Sequence, residues 1–360
     1  DAGGVRLYSD GVSAPTPLGT LDTIGAVSCV VSAGDRVYGT HPDGGVFGIG
    51  RAAVGTVVAP EVRKPGPAGA CAIVSDDRVL VADATGGAVH VARVDPLGDL
   101  VDLAIVETGG EVNGLAVAGD RAYIAAGDAG VFLVEPRSGE VRATNDALRG
   151  TAIAADEAGV VVYSLNSNFT VLDPASLAVR DSRTVVSGLS AETSALAVSG
   201  ARAYFAMGGL DIPFGFAGVL EVFDTTAPGL PTLGEYDVSS LAGALLERVA
   251  ADADHVLVGG DRGVAALGVS ADGLGQTRAL WNSPGTVLDL VVEPDDGSGS
   301  RGILVADGAG GLVEFDLVPS TVPTPTPSPT PEAGPTRTVA PTAPPTAGPP
   351  PRPVVFLPLV

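Results

Sequence analysis

The sequence predicts an all-β fold, a seven-bladed β-propeller of four-stranded antiparallel blades, on three observations. A strand pattern recurs about every 40 residues, 50 glycines punctuate it, and 45% of the chain is hydrophobic. Repeats of this length stack radially because no single copy can bury both of its faces. Glycine supplies the left-handed backbone that tight hairpins need.

The second strands set the register. They start at Arg36, Arg78, Arg121, Gly159, Arg202, His255 and Gly302, with gaps of 42, 43, 38, 43, 53 and 47 residues. Before them run first strands such as AVSCVVS, ACAIVS, GLAVAG and ALAVSG, whose small and β-branched residues suit the crowded place beside the axis. Third strands follow, among them GVFGIG, AVHVARV, GVFLVE and GLVEFD, and a more variable outer strand closes each copy. The last copy lacks that outer strand. Residues 5–22 look like a third and a fourth strand and align with 220–237 at a constant offset of 215. The strand near Leu18–Leu21 is therefore expected to complete the last blade and close the ring, which removes exposed edges. Asp1-Ala2-Gly3-Gly4 matches the turns DATGG and DGAGG further on, so the chain is expected to begin inside a blade, as a fragment. An eight-bladed parent is then the competing count.

Beyond residue 318 the composition changes. Fifteen of the 29 prolines fall in 319–358, interleaved with threonine. Residues 319–353 are expected to be a disordered, extended Pro/Thr-rich linker or stalk, a composition that also fits O-glycosylation. Residues 354–360, VVFLPLV, form an apolar C-terminal tag. The propeller would occupy 1–318.

Charge narrows the partners. Twenty basic residues against 42 acidic ones give a net charge of −22, a field that repels phosphate backbones and anionic membranes. No nucleic-acid partner is expected. No apolar run approaches the roughly 18–20 residues of a membrane span. A domain, a stalk and a terminal tag suit an exported protein, extracellular or held at a cell surface.

The segment GLAVAGDRAYIAAGDAGVFLVEPRSG at 114–139, and the pair aligned at offset 215, resemble the LVIVD-repeat propellers of exported bacterial proteins. The resemblance covers about residues 1–318 and implies a propeller and an extracytoplasmic address; it brings no catalytic motif. WD40 and YVTN-type propellers are neighbouring alternatives, although no Trp-Asp blade signature is present.

Several residues are candidates for a site. Asp43, Asp83, Asp128, Asp261 and Asp307 recur at the turn between second and third strands, with Asp211 inside a longer version. Such turns share one face, so the carboxylates would form a broken acidic ring able to hold Ca²⁺ or a cationic ligand. Turn chemistry alone accounts for the same spacing. The longer turn, Met207 to Gly218, carries Phe214 and Phe216 and reads either as an apolar recognition loop or as a cap over the channel. The loop Glu293 to Ser300 lacks the alternating ligands of an EF-hand and reads as a solvated hairpin. Cys29 and Cys71 each lie seven residues before their alignment arginine, on adjacent inner strands. They read as small buried residues or as a disulfide. With two cysteines and no CxxC, a zinc cluster is excluded, and no HExxH or GxSxG is present. His41, His90 and His255 are scattered over a turn, a third strand and a second strand.

The expected function is a non-catalytic, monomeric binding scaffold for an unknown protein or cell-envelope polymer, without a cofactor. A propeller hydrolase or lactonase with a metal in its channel is the first alternative, since propeller enzymes gather residues from several blades. A structural surface-layer component is the second.

Overall fold

The computed structural model describes residues 4–8, 17–22, 27–33, 36–50, 61–64, 68–75, 77–85, 87–164, 168–185, 189–211, 215–270, 273–283, 285–293, 301–308 and 312–317. The chain divides into two units, Asp1–Ser320 and Thr321–Val360. The expected stalk and apolar tag, residues 319–360, lie outside the described residues, as do residues 294–300.

The first unit is a propeller of β-sheets, six of them wholly antiparallel. β1 (Gly4–Tyr8) and β2 (Pro17–Asp22) open it. Sheet 1 holds β3 (Cys29–Ala33), β4 (Arg36–His41), β5 (Gly45–Gly50) and β6 (Glu61–Lys64). Sheet 2 holds β7 (Cys71–Ser75), β8 (Arg78–Ala82), β9 (Ala88–Val94) and β10 (Leu100–Glu107). Sheet 3 holds β11 (Gly114–Ala118), β12 (Arg121–Ala125), β13 (Val131–Glu135) and β14 (Glu140–Asn145). Sheet 4 holds β15 (Gly150–Ala155), β16 (Val160–Ser164), β17 (Asn168–Leu172) and β18 (Val179–Thr184). Sheet 5 holds β19 (Leu189–Ser199), β20 (Arg202–Asp211), β21 (Gly215–Asp224) and β22 (Thr232–Asp237). Sheet 6 holds β23 (Leu246–Ala251), β24 (His255–Gly260), β25 (Gly263–Ser270) and β26 (Gly273–Asn282). These six are four-stranded meanders. A seventh sheet contains β27 (Asp289–Val292), β28 (Arg301–Ala306) and β29 (Leu312–Leu317), then β1 and β2, in the order β27-β28-β29-β1-β2.

Two expectations need correction here. The strand beside β29 is β1, not the strand near Leu18–Leu21, and it runs parallel to β29, with Arg6 opposite Val313 and Leu7 opposite Glu314. β2, which contains Leu18–Leu21, pairs on β1 and makes the seventh sheet five-stranded. The longer turn of sheet 5 is also mostly strand rather than loop. β20 and β21 stay paired from Arg202 opposite Asp224 out to Asp211 opposite Gly215, and β19 follows them to Leu189. Glycines make this possible: a Cβ on Gly208 would lie 2.4 Å from the nitrogen of Leu246 in the next sheet.

The core lies between sheets, one cluster per neighbouring pair, as faces that alternate along each strand require. Val31, Tyr38 and Val46 of sheet 1 meet Val79 and Val81 of sheet 2. Phe169 and Tyr163 of sheet 4 meet Phe205 and Phe223 of sheet 5, with Phe169 and Phe223 centroids 4.6 Å apart. A further cluster joins Val30, Val37 and Phe47 of sheet 1 to Leu304 and Ala306 of sheet 7. Trp281 packs on β26 against Leu290 and Ile303 of sheet 7. Tyr38 and Tyr123 are buried and donate their hydroxyl hydrogens to the carbonyls of Gly98 and Pro174, in the third-to-fourth-strand turn of the next sheet.

One core residue opposes folding. Glu221 is 8% exposed, faces Glu235 across the strand pair, and its buried Oε2 has no hydrogen-bond partner among the described residues. Burial, and then Glu235, push its carboxyl above the ordinary range, while Arg183 opposes them. A carboxyl raised in the fold gives stability when protonated and loses it as pH rises through the folded value. Glu221→Gln, which mimics the protonated form, is expected to stabilise by about 1 kcal/mol at mildly alkaline pH. The gain should vanish where glutamate is protonated in both states. Urea melts at the two pH values check it; equal gains at both would remove the electrostatic cause.

Candidate functional site

Antiparallel order sends the second-to-third-strand turns and the inter-sheet connections to one face, and the other turns to the opposite face. The sequence-predicted aspartates accordingly sit on the first face, but the carboxylates of Asp83, Asp128, Asp261 and Asp307 are engaged by the scaffold. In the Asp43 turn, the N–H groups of Asp43 and Gly44 donate to His41 Nδ1 at 3.0 and 2.8 Å. Asp83 Oδ1 accepts from the Thr85 N–H at 2.9 Å. Asp128 pairs with Arg149 Nε at 3.3 Å, both largely exposed. Asp261 Oδ1 accepts from the Leu245 N–H at 3.1 Å, tying turn to connection. Asp307 is fully buried and accepts the Ser283 hydroxyl, so it offers no carboxylate to a surface. Asp211 ends β20 and Phe216 lies in β21, beyond the level of the other turns; Phe214 lies outside the described residues.

The opposite face shows the same chemistry more strongly. Asp95, Glu135, Asp173 and Asp224 each open a third-to-fourth-strand turn and accept two N–H groups. Arg180 first, then the Ser176 hydroxyl, hold the Asp173 carboxyl far below the usual range. On this face a cleft of about 510 Å³ opens between sheets 4 and 5, floored by Val161, Val171 and Val198 and edged by Arg180 and Asp181.

The most concentrated polar group lies at the mouth of the channel, where the inner strands begin. Cys29 and Cys71 form a disulfide between β3 and β7, with Cα atoms 5.9 Å apart, one of the two readings the sequence left open. The next residue, Val30, donates its N–H to Asp289 Oδ2 at 2.9 Å across the seam between sheets 1 and 7. Asp289 Oδ1 accepts from Arg248 Nε at 2.9 Å, which brings in sheet 6. Burial pushes the Asp289 carboxyl up, while Arg248 and the N–H groups of Val30 and Leu290 pull it down. Burial raises neighbouring Glu247 too; Arg248 opposes this and Asp261 adds to it.

Sequence reasoning missed Arg248 and Asp289. Arg248 stands seven residues before His255, the offset that placed the cysteines, so the signal was present. Asp289 was hidden because its hairpin is longer: Val292 pairs with Ile303, and the extra residues shift the count.

The chemistry available at this mouth is limited. Cys29, Cys71 and Asp289 bring potential metal ligands within 4.8 Å of one another. The sulfurs are consumed in the disulfide, whereas metal binding needs thiolate, and both Asp289 oxygens already accept hydrogen bonds. Calcium, which takes about six to eight oxygen ligands, does not suit this set either. The donor set does not fit a metal centre. His90 contacts Asp102 at 3.1 Å and His255 contacts Asp252 at 3.6 Å; among the described residues no serine or cysteine hydrogen-bonds either imidazole.

Three solved structures show the same architecture. The WD40 domain of Toxoplasma gondii coronin superposes with a TM-score of 0.63 at 12% identity, over 89% of this chain and 87% of that one. The Neurospora crassa Pan2 WD40 domain gives 0.57 at 14%, over 80% and 88%. Saccharomyces cerevisiae Sqt1 gives 0.56 at 12%, over 89% and 100%. The fold is a WD40-like β-propeller. At such low identity the likeness shows the fold alone. No family model matches the sequence, and no curated protein does.

Proposed function

We propose that the chain is a non-catalytic binding scaffold of the LVIVD type, a closed ring of seven blades that is exported or held at a cell surface. Seven inter-sheet cores support the count, the seventh linking sheet 7 back to sheet 1. The observation that carries the reading is the channel mouth. Propeller enzymes gather reacting groups from several blades at such a place, yet here the convergent groups are spent as latches, disulfide and Arg248–Asp289–Val30 alike. What remains for recognition is the faces and rim of a rigid disc. Its charge of −22 favours basic partners.

The test is retention of envelope polymers and purified surface proteins by immobilised protein, together with elemental analysis of the soluble chain. Saturable retention of one of them by metal-free protein is expected. No retention, or a stoichiometric ion that resists dialysis, would overturn the scaffold reading in favour of a surface-layer component or a hydrolase respectively.

A further inference from the structure

The outer strand of sheet 2 differs from every other outer strand whose side chains are described. Eight large apolar side chains are exposed among the described residues, and four of them cluster in this strand and the turn before it: Leu97 at 71%, then Val101 at 42%, Leu103 at 44% and Ile105 at 52%. β14, β18, β22 and β26 carry one each, Val141, Val179, Leu233 and Leu280. Scattered single residues need no explanation, whereas a cluster marks a contact.

β10 is also a free edge. It pairs with β9 from Leu100 opposite Val94 to Glu107 opposite Ala88, and no described strand pairs its other side. A row of unpaired N–H and C=O groups is a template for another strand. The fold accommodates a fifth strand at the rim, because sheet 7 already has five. The register fixes the shape of the occupant. Val101 stands opposite Arg93 and Ile105 opposite His90, an odd offset, so the bulge at Leu103 sends them to opposite faces of the sheet. An added strand meets apolar contacts on both faces, so it must be apolar continuously rather than at alternate positions.

Charge selects among such strands. Asp95 and Asp99 lie before β10, and Asp102 and Glu107 lie within it, while Lys and Arg are absent from the strand itself. Acidic ends on a chain of net charge −22 repel a second copy, whose edge would bring the same acids. They attract basic ends. We propose that the free edge of β10 binds an extended, continuously apolar peptide segment flanked by Lys or Arg, taken up as a fifth strand of sheet 2. This rests on the scaffold reading but uses the rim of sheet 2 rather than the channel mouth.

A fluorescein-labelled Lys-Lys-Val-Ile-Val-Ile-Val-Lys-Lys peptide, followed by anisotropy with the full chain, tests it. Saturable binding is expected, about tenfold weaker for Leu103→Lys and for Ile105→Lys, since edge lysines block strand addition and repel basic ends. Val141→Lys on β14 should bind as the parent does. A peptide with Glu in place of Lys should bind about tenfold more weakly. The mutated side chains are exposed, and thermal melts confirm that the variants fold; Val101→Thr with Ile105→Thr serves if they do not. No binding, or equal losses in Val141→Lys and Leu103→Lys, overturns the proposal. So does a parent dimer in sedimentation that Leu103→Lys dissolves, because the occupant is then a second copy. If the peptide fails while envelope polymers are still retained, the edge falls and the scaffold stands.

Discussion

Asp289→Ala is expected to destabilise the propeller by about 3 kcal/mol, the lower end of the cost of breaking a buried ion pair. The substitution removes an acceptor from Arg248 Nε and from the Val30 N–H at once, and so loosens three sheets at one point. Arg248 is about one-third exposed, so its guanidinium can recover water, which keeps the cost at that lower end. Arg248→Ala should behave differently. The carboxylate it leaves is 9% exposed and already raised by burial, and losing the cation raises it further. A carboxyl raised in the fold supports stability below its unfolded value and withdraws that support as pH rises through the folded value. The arginine variant should therefore melt close to the parent in acid and well below it at neutral pH, whereas the Asp289→Ala deficit should be flatter. In the double variant the two losses should fall short of their sum. Denaturant unfolding of the four proteins at two pH values measures all of this. An Asp289→Ala protein within about 0.5 kcal/mol of the parent would show that the seam does not depend on this contact.

How much of this was legible follows from what a repeat encodes. Strand identity and inner-strand places were readable because every copy states them again: the offset of seven that placed Cys29 and Cys71 also places Arg248. The N-terminal hairpin shows where such reading stops. The alignment at offset 215 equates Val5 and Leu21 with Leu220 and Tyr236, and both pairs are cross-strand partners in the fold. The hairpin's internal pairing was thus written in the sequence. Which of its strands docks on β29 was not, because docking depends on a non-local edge that no second copy repeats. The same reason hid Asp289, whose partners Arg248 and Val30 lie 41 and 259 residues away. The acidic turns taught the converse. Their regularity was legible, but regularity across copies is what turn geometry alone produces, and the structure places most of those carboxylates in local bonds.

Removing the disulfide is the second large effect, and it bears on the same strand from the other side. A cross-link between residues 42 apart withdraws about 4 kcal/mol of chain entropy from the unfolded state. Measured bridges return somewhat less, so Cys29→Ala with Cys71→Ala is expected to cost about 3 kcal/mol. Alanine is the right replacement because the equivalent inner-strand places hold Gly114, Ala152 and Ala195, so the site tolerates a small side chain. Reductant should lower the parent to the level of the double variant and leave that variant unchanged. The two latches meet at consecutive residues of β3, Cys29 toward sheet 2 and Val30 toward sheet 7. Either alone still holds the start of β3 to a neighbour; without both, only the Val27 N–H bond to the Gly308 carbonyl and packing remain. Asp289→Ala in the disulfide-free background should therefore cost more than the sum of the separate losses, and hydrogen exchange should rise first in β3 and β27. Strict additivity, with exchange spread evenly over the sheets, would mean the two contacts act independently and that the seam is held by its apolar cluster of Val30, Val37, Phe47 and Leu304 instead.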